Sequence, residues 1–120
     1  MSGKIMVVDD TTFIRNILKD IFRSGGYEVV AEASDGAEAV HLYRQLKPDL
    51  VTLDLTLPGV DGLQAMKEIK AFDPKAKIVI CSAVSQQQMV IEAIEAGAKD
   101  FIVKPVMRER LIEVVETLLA

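Results

Sequence analysis

Residues 4–26, KIMVVDDTTFIRNILKDIFRSGG, contain a short apolar run followed by a segment with helical periodicity. Every side chain of Ile5–Val8 is apolar, which is typical of a central strand covered by helices on both faces. From Thr12 onward apolar residues recur every three or four positions, and Gly25 and Gly26 follow as a left-handed helix stop. The stretch therefore predicts a strand and then a helix, the repeating unit of a parallel α/β sheet.

The same alternation continues along the rest of the chain. Further strands are expected at Glu28–Glu32, Leu50–Asp54, Ile78–Ser82 and Phe101–Val103. The intervening segments carry helix boundary signals: Ser34-Asp35-Gly36 and Pro48 around the second helix, Pro58, Gly59, Asp61 and Gly62 before the third, Ser85 as a cap and Gly97 as a stop for the fourth, and Lys104-Pro105 before the last. Five strands and five helices predict one doubly wound α/β domain, (βα)5, spanning residues 1–120.

Composition narrows the classes of protein to consider. The 120 residues have a mass of 13.2 kDa, half of them are apolar, and this length accommodates one domain. Fourteen basic against eighteen acidic side chains, with a pI near 5.0, argue against nucleic acid as a partner. The single Cys81 excludes an internal disulfide, and no apolar run is long enough for a membrane span or typical of a signal peptide. We therefore expect a cytoplasmic monomer that binds neither nucleic acid nor membrane.

Polar residues stand where four of the predicted strands end. Asp9 and Asp10 follow the first strand, and Asp54, Ser82 and Lys104 close the third, fourth and fifth. Ligands of such sheets bind outside the carboxyl ends of the strands, so these side chains should converge. Three carboxylates repel one another unless a cation intervenes, and a hard divalent ion such as Mg²⁺ prefers oxygen ligands. The sequence therefore predicts a magnesium site.

A carboxylate near a bound cation can also attack phosphorus. Asp54 would then form an acyl phosphate, while the Ser82 hydroxyl and the Lys104 ammonium hold the phosphoryl oxygens. The alternative is that an acidic residue after a strand is simply a helix cap, and Asp9, Asp10, Thr11 or Thr12 could each cap the first helix. The conjunction of three acids, a hydroxyl and a lysine at different strand ends favours the site.

Several motifs together resemble a known family. They are Val7-Val8-Asp9-Asp10, Asp54 with Leu57-Pro58-Gly59-Val60-Asp61-Gly62, Ser82-Ala83, Ala96-Gly97-Ala98 and Lys104-Pro105. In this order and spacing the chain resembles the receiver domain of two-component response regulators, most closely its single-domain chemotaxis type, over all 120 residues. The resemblance implies a flavodoxin-like fold with strand order 2-1-3-4-5.

The resemblance also implies roles for the site residues. Asp54 is expected to take a phosphoryl group from the phosphohistidine of a histidine kinase. Asp9, Asp10, Asp54 and the backbone carbonyl of Thr56 are expected to hold Mg²⁺.

Further roles follow for the switch. Ser82 would be the switch hydroxyl, here in place of the commoner threonine, and Phe101 the aromatic that follows it inward. Lys104 would contact the phosphoryl group, and the Lys104-Pro105 bond would be cis. Helix four, strand five and helix five would form the output face.

The function implied is that of a signalling switch and not an enzyme, apart from its own phosphotransfer and dephosphorylation. Expected partners are a chemotaxis histidine kinase, the flagellar motor switch and a phosphatase. A standalone receiver in a sporulation, cell-cycle or stress phosphorelay stays open as an alternative.

Two other classes fit less well. A flavodoxin-like electron carrier needs a hydroxyl-rich phosphate loop, which Asp9 and Asp10 contradict. A haloacid-dehalogenase-type phosphatase would carry its nucleophile in a DxD pattern at the first strand, which Asp9-Asp10-Thr11 lacks. His41 is expected to be a solvated helix residue, and Cys81 a small buried hydrophobe.

Overall fold

The computed structural model describes residues 3–83 and 87–120. Within them, strands and helices alternate as the sequence predicts. The elements are β1 (Lys4–Val8), α1 (Thr12–Ser24), β2 (Glu28–Ala33), α2 (Gly36–Leu46), β3 (Leu50–Leu53), α3 (Gly62–Phe72), β4 (Ile78–Ser82), α4 (Gln87–Glu95), β5 (Asp100–Val103) and α5 (Arg108–Leu119). The strands form one parallel sheet in the order β2-β1-β3-β4-β5, which confirms both the (βα)5 fold and the strand order.

The sheet separates two hydrophobic cores. The first, the α2–α4 core, packs α2, α3 and α4 on one face through residues such as Tyr43, Met66, Ile69 and Ala93. The second, the α1–α5 core, packs α1 and α5 on the other through residues such as Leu18, Phe22, Leu111 and Val115. Successive residues of β1 alternate between them: Met6 and Val8 face the first core, Ile5 and Val7 the second. Burial on both faces explains why β1 is apolar from Ile5 to Val8, while Lys4 at its start is exposed.

The register of the sheet places the strand ends side by side. Val8 of β1 pairs with Leu53 of β3, and Leu53 pairs with Ile80 of β4. Asp9 and Asp54, the next residues after two paired positions, therefore leave the sheet next to each other. The fifth strand joins the same edge because Val103 pairs with Ser82.

Strand boundaries differ from the prediction by single residues. β2 continues to Ala33, whose small apolar side chain is buried, and β5 begins at Asp100. β3 ends at Leu53 and not at Asp54, although the Asp54 amide still donates to the carbonyl of Val8. Asp54 thus leaves the ladder while its backbone stays tethered to it.

The residues that end the helices differ in part from those that the sequence signals indicate. Gly26 takes the left-handed conformation after α1 (φ 87°), whereas Gly25 does not (φ −88°). After α2 a non-glycine residue, Lys47, adopts that conformation (φ 42°), ahead of Pro48. The cap expected at Ser85 lies outside the described residues. In the described part of the chain no helix is long and apolar enough to cross a membrane.

Candidate functional site

Four side chains from four strand ends meet in one hydrogen-bonded cluster. The Lys104 ammonium lies 2.5 Å from Asp9 Oδ2 and 2.8 Å from Asp54 Oδ2. The Ser82 hydroxyl donates to Asp54 Oδ1 at 2.9 Å. Asp9, Asp10 and Asp54 each offer a carboxylate oxygen within 4.8 Å of the others. The structure thus brings together all five of the residues that the strand ends suggested.

Burial differs sharply among these residues. Asp9, Asp54 and Ser82 are at most 3% exposed, whereas Asp10 is exposed and the Lys104 side chain keeps 15% of its surface. Buried charges are costly unless they are paired, and here the partners are in place. The open side at Asp10 leaves a route by which a small ion or a phosphoryl donor can reach the cluster.

The two buried carboxylates are held by the loops that follow them. Asp9 Oδ1 accepts from the Thr11 amide at 2.9 Å, and Asp54 Oδ1 accepts from the Thr56 amide at the same distance. Both are turns in which an aspartate bonds the backbone two residues on. The N-cap of α1 is Thr11, with no side-chain hydrogen bond to the helix. Of the four cap candidates, Thr11 therefore takes the N-cap position, and the cap interpretation of Asp9 and Asp10 is wrong.

Hydrogen bonding sets the charge state of the central pair. Burial acts to raise the pKa of Asp54, but hydrogen bonds from Lys104, Thr56 and Ser82 outweigh it and lower that pKa. Burial likewise acts to lower the pKa of Lys104, and the bonds to Asp54 and Asp9 raise it instead. Both groups are charged at neutral pH, so the Asp54 carboxylate is an anion paired with the Lys104 ammonium.

The charge balance of the cluster suits a divalent cation. Three carboxylates and one ammonium leave a formal charge of −2, and the offered oxygens are the ligand type that Mg²⁺ prefers. The cation would bind Asp10 on the open side together with Asp9 and Asp54. The fourth expected ligand, the carbonyl of Thr56, stays a prediction.

Phe101 lies away from this edge. It pairs with Ile80 inside the sheet, and its half-buried ring packs against the α2–α4 core. The elements of the expected output face, α4, β5 and the turn before α5, expose large apolar side chains: Ile91, Ile94, Val103 and Met107. The Lys104-Pro105 bond is cis, as the resemblance implied.

Two contacts at the site were absent from the sequence interpretation. The Thr56 hydroxyl donates to Asp54 Oδ1 at 2.9 Å, in addition to the Thr56 amide. Arg15, one turn into α1, donates to the backbone carbonyl of Asp9 at 2.6 Å. The spacing Asp-x-Thr is a turn signal that could have revealed the first. The second depends on the path of α1 and carries no local signal.

The remaining polar candidates lie elsewhere. His41 is exposed on α2, and Cys81 is buried in β4, where burial raises the pKa of its thiol to about 12. The thiol is protonated at neutral pH and packs as an apolar group.

Comparison with known proteins gives a consistent picture. The sequence matches the response regulator receiver domain over residues 5–116. It is 56% identical to the chemotaxis protein CheY of Thermotoga maritima over 113 residues, 94% of each chain, and 54% identical to that of Bacillus subtilis over 115 residues, 96% of each. A chain in the crystal structure of the CheX-CheY-BeF3-Mg²⁺ complex from Borrelia burgdorferi superposes with a TM-score of 0.93 at 36% identity, covering 98% of this chain and 89% of that one.

Proposed function

Because this chain belongs to the response regulator receiver family, we propose that it is a phosphorylation-controlled switch in which Asp54 accepts a phosphoryl group with Mg²⁺ bound. One observation carries the proposal. The ionised Asp54 carboxylate lies between the Ser82 hydroxyl and the Lys104 ammonium, next to two further carboxylates.

The transfer step follows from these contacts. A carboxylate oxygen of Asp54 attacks the phosphorus of a phosphohistidine, so a P–O bond forms while the P–N bond breaks. The histidine leaves with the electron pair and takes a proton from solvent. Lys104 and Ser82 stand where they can bond the incoming phosphoryl oxygens, which favours positioning and charge neutralisation over general acid–base catalysis. Bound Mg²⁺ would supply further charge neutralisation.

The switch follows from the same contacts. A phosphoryl group on Asp54 gives Ser82 and Lys104 a new, strongly charged partner. Ser82 lies in β4, which pairs with β5, and Phe101 of β5 packs against the α2–α4 core, to which α4 contributes Ala93. Movement at Ser82 would therefore reach the apolar face of α4, β5 and α5, where a target binds.

The partners are inferred from the relatives. Both relatives described above, at 56% and 54% identity, are chemotaxis proteins, so we propose a chemotaxis histidine kinase as donor and the flagellar motor switch as target. The Borrelia burgdorferi structure pairs a CheY with CheX, and we include a phosphatase among the partners. We also propose that the exchange takes place in the cytoplasm and that the protein acts as a monomer.

Two alternatives make different predictions. A standalone receiver in a sporulation, cell-cycle or stress relay would be phosphorylated in the same way and would fail to bind the motor switch. A haloacid-dehalogenase-type phosphatase would turn over phosphate esters continuously.

The acceptor and the metal can be tested together by intact mass spectrometry. After incubation with acetyl phosphate and Mg²⁺, we expect one added phosphoryl group on the wild type and none on Asp54→Asn or without Mg²⁺. A gain on Asp54→Asn would refute Asp54 as acceptor, and a gain without any divalent ion would refute the metal requirement.

The output face needs a separate test. Ile94→Asp should abolish binding of the phosphorylated protein to the motor switch protein without slowing phosphorylation, because Ile94 is 47% exposed on α4. Leu46→Asp is the matched control, since Leu46 is 45% exposed on α2. Equal binding by both variants would place the output surface elsewhere.

A further inference from the structure

Arg15 joins three parts of the fold beside the acidic cluster. Its Nη1 donates to the Asp9 carbonyl at 2.6 Å, its Nε to Glu32 Oε1 at 3.0 Å and its Nη2 to Thr12 Oγ1 at 3.0 Å. These partners lie at the end of β1, on β2 and at the start of α1. A guanidinium is planar and rigid, so three bonds in different directions fix both its position and its orientation.

The carbonyl that Arg15 holds belongs to the peptide unit between Asp9 and Asp10. A peptide unit is planar, so fixing its oxygen fixes the direction in which the chain enters Asp10. Asp10 is exposed, and its carboxylate accepts a hydrogen bond from the Thr11 hydroxyl at 3.4 Å, which is long for an O–H donor. Asp10 therefore depends on its backbone for its place beside the two buried acids.

We propose that Arg15 is a positioning residue for the divalent cation: it holds the Asp9–Asp10 peptide so that both carboxylates face Asp54. This inference rests on the proposed function, because it takes the acidic cluster to be the Mg²⁺ site. Loss of a group that orients metal ligands typically weakens metal affinity by about 10- to 100-fold. Arg15 acts through one peptide unit, so we expect a loss of about tenfold, at the lower end of that range.

Lys19 offers a matched control on the same helix. It lies one turn further along α1, and its Nζ is 2.7 Å from Glu32 Oε2, the other oxygen of the carboxylate that Arg15 bonds. The two side chains are similarly exposed, at 15% and 16%. Arg15→Gln and Lys19→Gln each remove one positive charge and one partner of Glu32, but only the first removes the bond to Asp9.

The experiment measures Mg²⁺ binding by calorimetry and the rate of phosphorylation by acetyl phosphate across a range of Mg²⁺ concentrations. Arg15→Gln should bind Mg²⁺ about tenfold more weakly. At saturating Mg²⁺ it should reach the wild-type rate, because Asp54, Ser82 and Lys104 keep their contacts. Lys19→Gln should behave like the wild type in both measurements.

Several results would overturn the inference. Equal weakening in both variants would assign the effect to charge or to Glu32, and a lower rate for Arg15→Gln at saturating Mg²⁺ would indicate general distortion of the site. Arg15→Lys is measured in parallel in case Arg15→Gln does not fold. It keeps the charge but has one nitrogen in place of three, so its Mg²⁺ affinity should also fall, and wild-type affinity would refute the inference.

Failure of the proposed function would look different. A wild type that neither binds Mg²⁺ nor gains a phosphoryl group refutes the proposed function itself. A wild type that does both, alongside an Arg15→Gln variant of unchanged affinity, refutes the role of Arg15 alone.

Discussion

Lys104 offsets the repulsion between two almost fully buried carboxylates, those of Asp9 and Asp54. Breaking a buried ion pair by removing one partner leaves an uncompensated charge, which costs several kcal/mol. We expect Lys104→Ala to lower the free energy of unfolding by about 3 kcal/mol in the absence of metal. Added Mg²⁺ should restore part of the loss, because a cation at the cluster replaces the missing ammonium.

Urea denaturation with and without Mg²⁺ measures this effect. Lys19→Ala serves as the control, since its ion pair with Glu32 is at the surface and is worth less than about 1 kcal/mol. Equal losses for the two variants would contradict the assignment of a special role to Lys104.

Cys81 should be chemically silent in the folded protein. Its thiol is buried in β4 and burial raises its pKa to about 12, so very little thiolate exists at neutral pH. We expect no reaction with a disulfide reagent under native conditions and one reactive thiol per chain in guanidinium chloride. Rapid labelling of the native protein would show that β4 opens far more readily than its burial implies.

For single residues, the sequence predicts which side chains share the site better than it predicts their hydrogen bonds. Asp9, Asp54, Ser82 and Lys104 could be placed together because strand ends of a parallel sheet meet at one edge. The hydrogen bond from Arg15 to the Asp9 carbonyl could not be predicted, because the sequence of an amphipathic helix does not show whether an arginine is solvated or bonded to the backbone. Such contacts depend on packing angles that no local pattern records.

At the level of elements, Gly62 lets α3 begin directly against the start of the β3–α3 loop, at Asp54 and Leu55. A Cβ at this position would overlap the carbonyl oxygen of Asp54 and lie 2.5 Å from Leu55 Cα, both of them backbone atoms. Gly62→Ala should therefore shift the β3–α3 loop, lower the free energy of unfolding by about 1–3 kcal/mol and slow phosphorylation.

Gly26→Ala is the control for Gly62→Ala. At φ 87° with open space around it, an alanine costs about 1 kcal/mol of backbone strain far from the cluster. Gly26→Ala should lose stability and keep the wild-type phosphorylation rate at temperatures where it stays folded. Slowed phosphorylation in both variants would mean that stability alone controls the rate.

A hydrogen bond between Tyr43 and Asp73 fastens α2 to the end of α3. The Tyr43 hydroxyl donates to Asp73 Oδ2 at 2.8 Å, and this bond holds the pKa of Asp73 below its ordinary value of 3.8. A lowered pKa contributes stability above the ordinary value and loses it as the pH falls through the lowered one. Tyr43→Phe should therefore lower the thermal midpoint near neutral pH, with the difference shrinking below about pH 4.

Thermal unfolding followed by circular dichroism across this pH range provides the measurement. Tyr27→Phe is the control, because within residues 3–83 and 87–120 the Tyr27 hydroxyl makes no hydrogen bond. A Tyr43→Phe difference that stays constant down to strongly acidic pH would rule out Asp73 as the titrating partner.

Element types followed from periodicity, while element ends depended on neighbours. Apolar residues at helical spacing were enough to predict α1 and α5. The extension of β2 to Ala33 is not predictable, because tertiary packing decides where the strand ends. The left-handed conformation of Lys47 is not predictable either, because it depends on how the chain returns to β3.

For the whole molecule, two cores on opposite faces of one sheet should behave as a single cooperative unit. Met66→Ala in the α2–α4 core and Leu111→Ala in the α1–α5 core should each lower the free energy of unfolding by about 2–5 kcal/mol.

The chain has two tyrosines and no tryptophan, with Tyr43 in the α2–α4 core and Tyr27 packed against the α1–α5 core. The near-ultraviolet circular dichroism signals of the two tyrosines should vanish at the same urea concentration. Separate unfolding midpoints for the two signals would show that the cores unfold independently.

The fold as a whole was readable from sequence because each level agreed with the next. An apolar β1 required helices on both faces, alternation required parallel strands, and parallel strands required their ends to share an edge. The strand order itself came from the family resemblance, since periodicity alone leaves several orders open.

The ion pair between Asp9 and Lys104 joins residues 95 positions apart in the chain, and the bond from Lys104 to Asp54 spans 50. The ribosome synthesises Asp9 and Asp54 long before Lys104, so a nascent chain carries the two carboxylates without the Lys104 ammonium that pairs with them. Competence to receive a signal is then acquired late in synthesis, when β5 joins the sheet. If the proposed function is correct, a histidine kinase would therefore not phosphorylate chains whose synthesis is incomplete.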